Sequence, residues 1–219
     1  MSEAAKWALA VVVAAALVMA TMSMMNKEKK IGLSADEQKT LLDLARARLR
    51  QVVGGKQATE VDKSGISASL KREAACFVTL TKNGALRGCI LDSFDAHEAI
   101  YENVLRNVVL AATSDPRFPP VSISEVDDIT IEISILDRPH PLDFSCPEDL
   151  VSKLVPGVDG VILRTSRGSS TYLPQVWDDL PDPVEFISSL CQKQGAPSDC
   201  WRDDPSIEVE IYHVFHFSE

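Results

Sequence analysis

Arginine and cysteine stand two residues apart in Leu86-Arg87-Gly88-Cys89-Ile90. A thiol becomes a nucleophile when a nearby cation or helix N-terminus depresses its pKa. On an extended strand, residues two apart share a face and lie roughly 6–7 Å from each other. The pattern therefore makes Cys89 a candidate for thiol chemistry, with Arg87 favouring the thiolate. Arg87 could also anchor a carboxylate or phosphate through its planar fork. Cys76 would serve as a resolving thiol if it lay beside Cys89. Each candidate has a plainer reading. Cys76 and Cys89 fit as small core residues, and Arg87 fits as half of an internal ion pair.

Further candidates surround this motif. Gly88 is a further candidate for ligand binding. Asp115 and Arg117, in the stretch Asp115–Val121 (DPRFPPV), either flank the same site or brace the Pro-rich connection, and bracing is the preferred reading. Tyr172, Gln175 and Trp177 could line a pocket, with Trp177 fitting best as a core anchor between subdomains. His97, His140, His213 and His216 all fall outside the motif, so it holds no local general base. His213 and His216 alternate across a predicted strand and point to opposite faces, which argues against one shared metal. Gly157-Val158-Asp159-Gly160 lacks the Lys and Ser/Thr of a phosphate loop. The expectation is no metal and no cofactor.

The elements that must position these residues follow from periodicity. Ser34 and Glu37 have capping-box spacing ahead of an apolar face at Leu41, Leu42, Ala45, Leu49 and Val52, ended by Gly54-Gly55. Asn83-Gly84 between two β-rich runs predicts a hairpin with a type I′ turn. A regular two-residue turn pairs Val78 with Cys89, Leu80 with Arg87 and Cys76 with Leu91. That register places Cys76, Cys89 and Arg87 on one face. His97–Thr113 has helical spacing, Ile129–Leu136 alternates as a half-buried strand, and Ile207–Phe217 reads as one final strand. Hairpins interrupted by helices imply an α+β fold with a mainly antiparallel sheet flanked by helices.

The chain has 219 residues, 45% of them hydrophobic and 25% charged, with a net charge of −10. Removing the four Lys and two Glu of residues 1–30 leaves 18 basic and 30 acidic residues, a net charge of −12 for residues 31–219. An acidic body repels phosphate backbones, which speaks against nucleic-acid binding. Five cysteines without a C-x-x-C pair predict reduced thiols rather than a disulfide framework or a zinc site.

Trp7–Met25 is a separate feature: 19 residues without charge, about 28 Å as a helix, close to the thickness of a bilayer's hydrocarbon core. It predicts an N-terminal apolar helix acting as a signal anchor, with residues 1–30 as anchor and linker and 31–219 as the body. Lys27, Lys29 and Lys30 after the run, against Lys6 opposed by Glu3 before it, place the body on the cytosolic side. The alternative is a signal peptide cleaved near Ala20, leaving a secreted or lumenal body.

The body resembles the AMMECR domain family, the protein-A component of the AmmeMemoRadiSam group. The resemblance is carried by Ala75–Ile90 (ACFVTLTKNGALRGCI), Asp115–Val121, Gly157–Leu163 (GVDGVIL), Thr171–Pro183 (TYLPQVWDDLPDP) and Leu190-Cys191 to Trp201. It runs from about Leu33 to Phe217. Leu91 stands where the family signature usually has Gly after Ile. The resemblance implies an α+β fold with a larger and a smaller subdomain. It also implies association with Memo-like and radical-SAM proteins in microbes and a regulatory role in animals. It implies no particular reaction. Together with the missing catalytic constellation, this favours a membrane-tethered regulatory or binding module. The alternative is a thiol-dependent enzyme, or component of an enzyme system, acting on a small anionic molecule through Cys89 and Arg87.

Overall fold

A computed structural model describes residues 32–219. The apolar run Trp7–Met25 lies outside the described residues. Among the described residues no helix is long and apolar enough to cross a membrane.

The first helix, α1 (Ala35–Val53), carries the expected capping box: Glu37 N–H donates to the Ser34 hydroxyl, and the Ser34 N–H donates to the Glu37 carboxylate. Leu41, Ala45 and Leu49 turn inward and are fully buried. Next come strands β1 (Cys76–Lys82) and β2 (Ala85–Ile90), joined by Asn83 at φ 53° and Gly84 at φ 78°, both in the left-handed region that a type I′ turn requires.

The hairpin register is where sequence and structure part. Lys82 pairs with Ala85 and Thr81 with Leu86, as a two-residue turn demands. The ladder then slips by one, so that Leu80 pairs with Gly88, Thr79 with Cys89 and Val78 with Ile90. Arg87 is the extra residue of a β-bulge. A one-residue slip moves every later side chain to the other face. Gly88 and Ile90 therefore join Cys76, Val78 and Leu80 on the helix-covered face. Cys89 lies on the opposite face beside Thr79, and Cys76 and Cys89 are not neighbours.

Helix α2 (Ile100–Thr113) and strand β3 (Ile129–Leu136) follow, with Ile129, Ile131, Ile133 and Ile135 all buried. Strand β8 (Val214–Ser218) completes an antiparallel sheet in the order β2-β1-β3-β8, covered on one face by α1 and α2. The chain leaves this larger lobe after Leu136. It builds β4 (His140–Pro141), α3 (Pro147–Lys153), β5 (Gly160–Thr165), β6 (Gly168–Tyr172), α4 (Pro183–Lys193), α5 (Cys200–Asp203) and β7 (Glu208–Tyr212). The second sheet runs β4-β7-β5-β6, also antiparallel. Trp177 stacks on Phe186 at 3.6 Å in the core of this smaller lobe rather than between the lobes.

The expected single strand over residues 207–217 is thus two strands in two sheets, broken at His213. The expected mainly antiparallel sheet is likewise two four-stranded sheets, one per lobe. Their shared seam is Leu136, Ile162 and Tyr212 with Phe77, Leu91, Phe94, Leu173 and Val214 packed around them. Leu91, at the position where Gly is usual, fills that seam. A second correction concerns the thiols. Cys191 and Cys200 form a disulfide across the turn from α4 to α5, with Cα atoms 5.9 Å apart. Cys76, Cys89 and Cys146 are free.

Candidate functional site

The helix-free face of the larger sheet carries a short polar row. Thr79 pairs with Cys89 on one side and with Glu132 on the other, so the three side chains stand abreast. Along β3 on this face, Ser134 is buried, Glu132 half-buried and Thr130 exposed. Accessibility rises along this row, and Lys193 and Tyr212 of the smaller lobe lie within electrostatic reach of Cys89. The row Cys89–Thr79–Glu132 is therefore the floor of a cleft between the lobes.

Cys89 is half-buried, and the Thr79 hydroxyl donates to its sulfur at 3.3 Å. Burial pushes the thiol above its ordinary value, while Arg117 pulls the other way. Cys89 is thus held as a thiol rather than pre-activated as a thiolate. The Cys89 N–H donates to Asp115 Oδ2 at 2.9 Å, and Arg117 donates to the Cys89 carbonyl at 3.1 Å. Asp115 is buried and saturated: Arg117 Nε and N–H both donate to its Oδ1, and Arg117 Nη2 to its Oδ2 at 2.7 Å. These donors hold the Asp115 carboxyl well below the usual carboxylate range. Asp115 and Arg117 therefore brace the Pro-rich connection and also fix the backbone of β2 at Cys89. Half of the Arg117 side chain stays exposed.

The smaller lobe supplies the facing wall. Lys193, at the end of α4, donates to the Thr171 carbonyl at 2.8 Å and sits 4.6 Å above the Tyr172 ring. Tyr172 in turn bonds Ser189 at 2.9 Å. Thr171 bonds the Tyr212 hydroxyl at 3.0 Å, and the rings of Tyr212, Phe94 and Phe77 continue edge to face onto β1. This relay holds Lys193 within electrostatic reach of Arg117 and Cys89. Burial and the nearby Arg117 both push the Lys193 ammonium below its ordinary pKa. Among the described residues Lys193 has no carboxylate partner.

Arg87 and Cys76 do not belong to the cleft. The bulge sends Arg87 to Glu125, which accepts from its Nε at 3.1 Å and its Nη2 at 3.2 Å, and the guanidinium also donates to the carbonyls of Pro119 and Pro120. Arg87, Ser122 and Lys82 hold the Glu125 carboxyl far below its usual range. Arg87 is thus an internal brace, and the cation that reaches Cys89 is Arg117. Cys76 is fully buried between Asn103 and Asn107 of α2; its backbone N–H donates to Asn103 Oδ1 at 3.0 Å. Burial pushes its thiol up to about 12, which removes it as a resolving thiol. Gly88 faces α2, where a Cβ would meet the Ala111 carbonyl oxygen at 2.2 Å. Its missing side chain serves packing.

Three cleft residues escape sequence reasoning. Glu132 was visible only as a polar position in an alternating strand, Thr79 as an ordinary strand threonine, and Lys193 as one lysine near a helix end. His213 and His216 have separate partners. His213 pairs with Asp137 at 2.8 Å, and His216 meets Gln175 at 3.3 Å. Among the described residues no cluster of three or more His, Cys, Asp or Glu could hold a metal ion.

The chain as a whole has relatives in sequence and in fold. The AMMECR1 family model matches residues 42–217. A protein of Methanothermobacter thermautotrophicus is 35% identical over 189 residues, covering 84% of this chain and 96% of its own length. Protein MK0488 of Methanopyrus kandleri is 34% identical, covering 85% of this chain and 90% of its own length. The crystal structure of uncharacterized protein PH0010 from Pyrococcus horikoshii matches with a TM-score of 0.78 at 30% identity, over 85% of this chain and 93% of that one. A match that spans both lobes in sequence and in backbone means that the chain belongs to the AMMECR1 family.

Proposed function

We propose that the chain is a membrane-tethered regulatory binding module, anchored through residues 7–25 with its body on the cytosolic side, whose inter-lobe cleft takes a small anionic ligand. The observation that carries the ligand is the convergence of Arg117 from one lobe and Lys193 from the other, with Lys193 lacking an acidic partner among the described residues. Two cations that repel one another are relieved by an anion between them. A ligand that bridges the lobes gives such a module its output, since binding would bias how the lobes close. Memo-like or radical-SAM proteins are the partner class that would read it.

The binding test uses the full chain in detergent micelles, titrated with hexanoate and followed by melting temperature. The expected result is a concentration-dependent rise in the wild type that Lys193→Met removes. No rise at tens of millimolar would sink the anionic ligand. Sidedness is read at Cys146, an exposed free thiol, with a membrane-impermeant maleimide on intact cells. Protection until lysis, with the chain resisting carbonate extraction, fits the proposal.

Two observations favour second readings. The Cys191–Cys200 disulfide suits an oxidising compartment and hence a lumenal body released near Ala20. Labelling of Cys146 without lysis, or its loss to the medium, would establish that placement. The partial exposure of Cys89 between Arg117 and Lys193 favours a thiol-dependent activity. Alkylation of Cys89 with an apparent pKa well below ~8.5 once ligand is bound would move the assignment to that activity.

A further inference from the structure

We infer that the ligand of the cleft is a zwitterion, with its acid on Arg117 and Lys193 and an ammonium on Glu132. The inference rests on the anionic-ligand reading and adds the other end of the molecule. Glu132 stands in the same row as Cys89, with Thr79 between them, on the face the helices leave open. It is half-buried, and it has no hydrogen-bond or ion-pair partner among the described residues. The other cleft carboxylate, Asp115, is saturated by Arg117 and by the Cys89 N–H. The partly buried carboxylates of this lobe otherwise have partners: Glu125 has Arg87 and Lys82, and Glu98 has Arg106. A half-buried carboxylate left without one is an acceptor site for a cationic group.

The geometry sets the spacing. Cys89 and Glu132 lie two strands apart, about 10 Å between backbones. The cations sit over the β2 side of the row and Glu132 on the β3 side. Allowing for the reach of the Glu side chain, the two charges of the ligand stand roughly 5–7 Å apart. Between them the floor offers the Thr79 methyl and the Cys89 sulfur, a surface for a short apolar spacer. The charge order excludes a dicarboxylate, whose second acid would meet Glu132. It also excludes a diamine, whose second ammonium would meet Lys193.

The test compares 6-aminohexanoate, hexanoate and hexylamine, matched in length, by calorimetric or melting-shift titration of the full chain in micelles. One new charge-assisted ion pair in a partly dry site corresponds to about a tenfold gain. The expected order is 6-aminohexanoate about tenfold tighter than hexanoate, with hexylamine weakest. Glu132→Gln keeps the side chain's shape. It should erase the tenfold advantage by weakening 6-aminohexanoate, while hexanoate, relieved of a like charge, binds at least as tightly as before. Lys193→Met should weaken both acids. If hexanoate binds wild type as tightly as 6-aminohexanoate, or if Glu132→Gln leaves the advantage intact, the zwitterion falls and the anionic site stands. If neither acid binds, both readings fall together.

Discussion

Replacing Gly88 with alanine tests why the most recognisable motif of this chain contains a glycine. A Cβ at this position would sit 2.2 Å from the Ala111 carbonyl oxygen and 3.1 Å from its carbon. Both atoms are backbone in the last turn of α2, so no rotamer change relieves the clash. Either β2 or the end of α2 must move by about an ångström. Forcing a methyl group into a fixed neighbour costs about 1–3 kcal/mol, and a backbone neighbour puts the cost in the upper half of that range. The lower entropy of unfolded alanine returns about 0.4–1 kcal/mol. The net expectation is a loss of about 2 kcal/mol. For a body of this size it corresponds to a fall in melting temperature of about 4–8 °C. The assay is urea unfolding of the full chain in micelles, fitted for midpoint and slope, with a thermal melt beside it. Gly65→Ala is the control. Nothing lies within 4 Å of its Cβ position, and its φ is not positive, so the same unfolded-state entropy should stabilise it by about 0.4–1 kcal/mol. If Gly88→Ala proves as benign as Gly65→Ala, the close approach is not what requires glycine. Gly88 would then return to the list of residues that meet a ligand.

Other perturbations separate braces from the cleft. Arg87→Met should cost about 1–2 kcal/mol, because Glu125 keeps Lys82 and solvent screens the rest. It should leave the alkylation rate of Cys89 unchanged; a shift in that rate would reinstate Arg87 beside the thiol. Asp115 has a carboxyl held below its ordinary value, so its stabilisation is present above about pH 4 and is lost as pH falls toward the folded value. Asp115→Asn should therefore destabilise by about 1–3 kcal/mol at pH 7, and its unfolding midpoint should converge with the wild type's on acidification. A gap that stays constant from pH 7 to pH 2 would refute the assignment. Cys200→Ser opens a loop of about ten residues, worth about 2–3 kcal/mol by chain entropy. Dithiothreitol should lower the wild-type melting temperature to that of the variant.

What the sequence made legible was local. The capping box of α1, the Asn83-Gly84 turn and the alternation of β3 each follow from neighbours within a few residues. The failures are non-local. Nothing in ALRGCI shows that the ladder slips at Arg87, because the bulge is set by where Glu125 and the Pro119 and Pro120 carbonyls stand, more than thirty residues on. The run Ile207–Phe217 keeps one apolar phase at Ile207, Val209, Ile211, Phe215 and Phe217, with only His213 out of step, and it is at His213 that the chain turns from one sheet into the other. Cys191 and Cys200 carry no spacing signature; the turn between α4 and α5 brings them together.

The cleft owes its position to the two places where the chain changes lobes. Residues 32–136 and 213–219 build the larger lobe, and 137–212 build the smaller. The crossings lie side by side. The Asp137 N–H donates to the His213 carbonyl at 3.1 Å, the His213 N–H donates to Asp137 Oδ1 at 2.6 Å, and His213 Nδ1 meets Asp137 Oδ2 at 2.8 Å. His213 Nε2 reaches Asp159 of the smaller lobe at 3.5 Å. Leu136, Tyr212 and Ile162 pack as the dry side of the same seam. Cys89, Glu132 and Arg117 stand on one side of this seam, Lys193 and Tyr172 on the other. The distance between the two cations is therefore set by the angle of the lobes and not by any stretch of sequence. That is the physical reason why no local motif contains both Arg117 and Lys193.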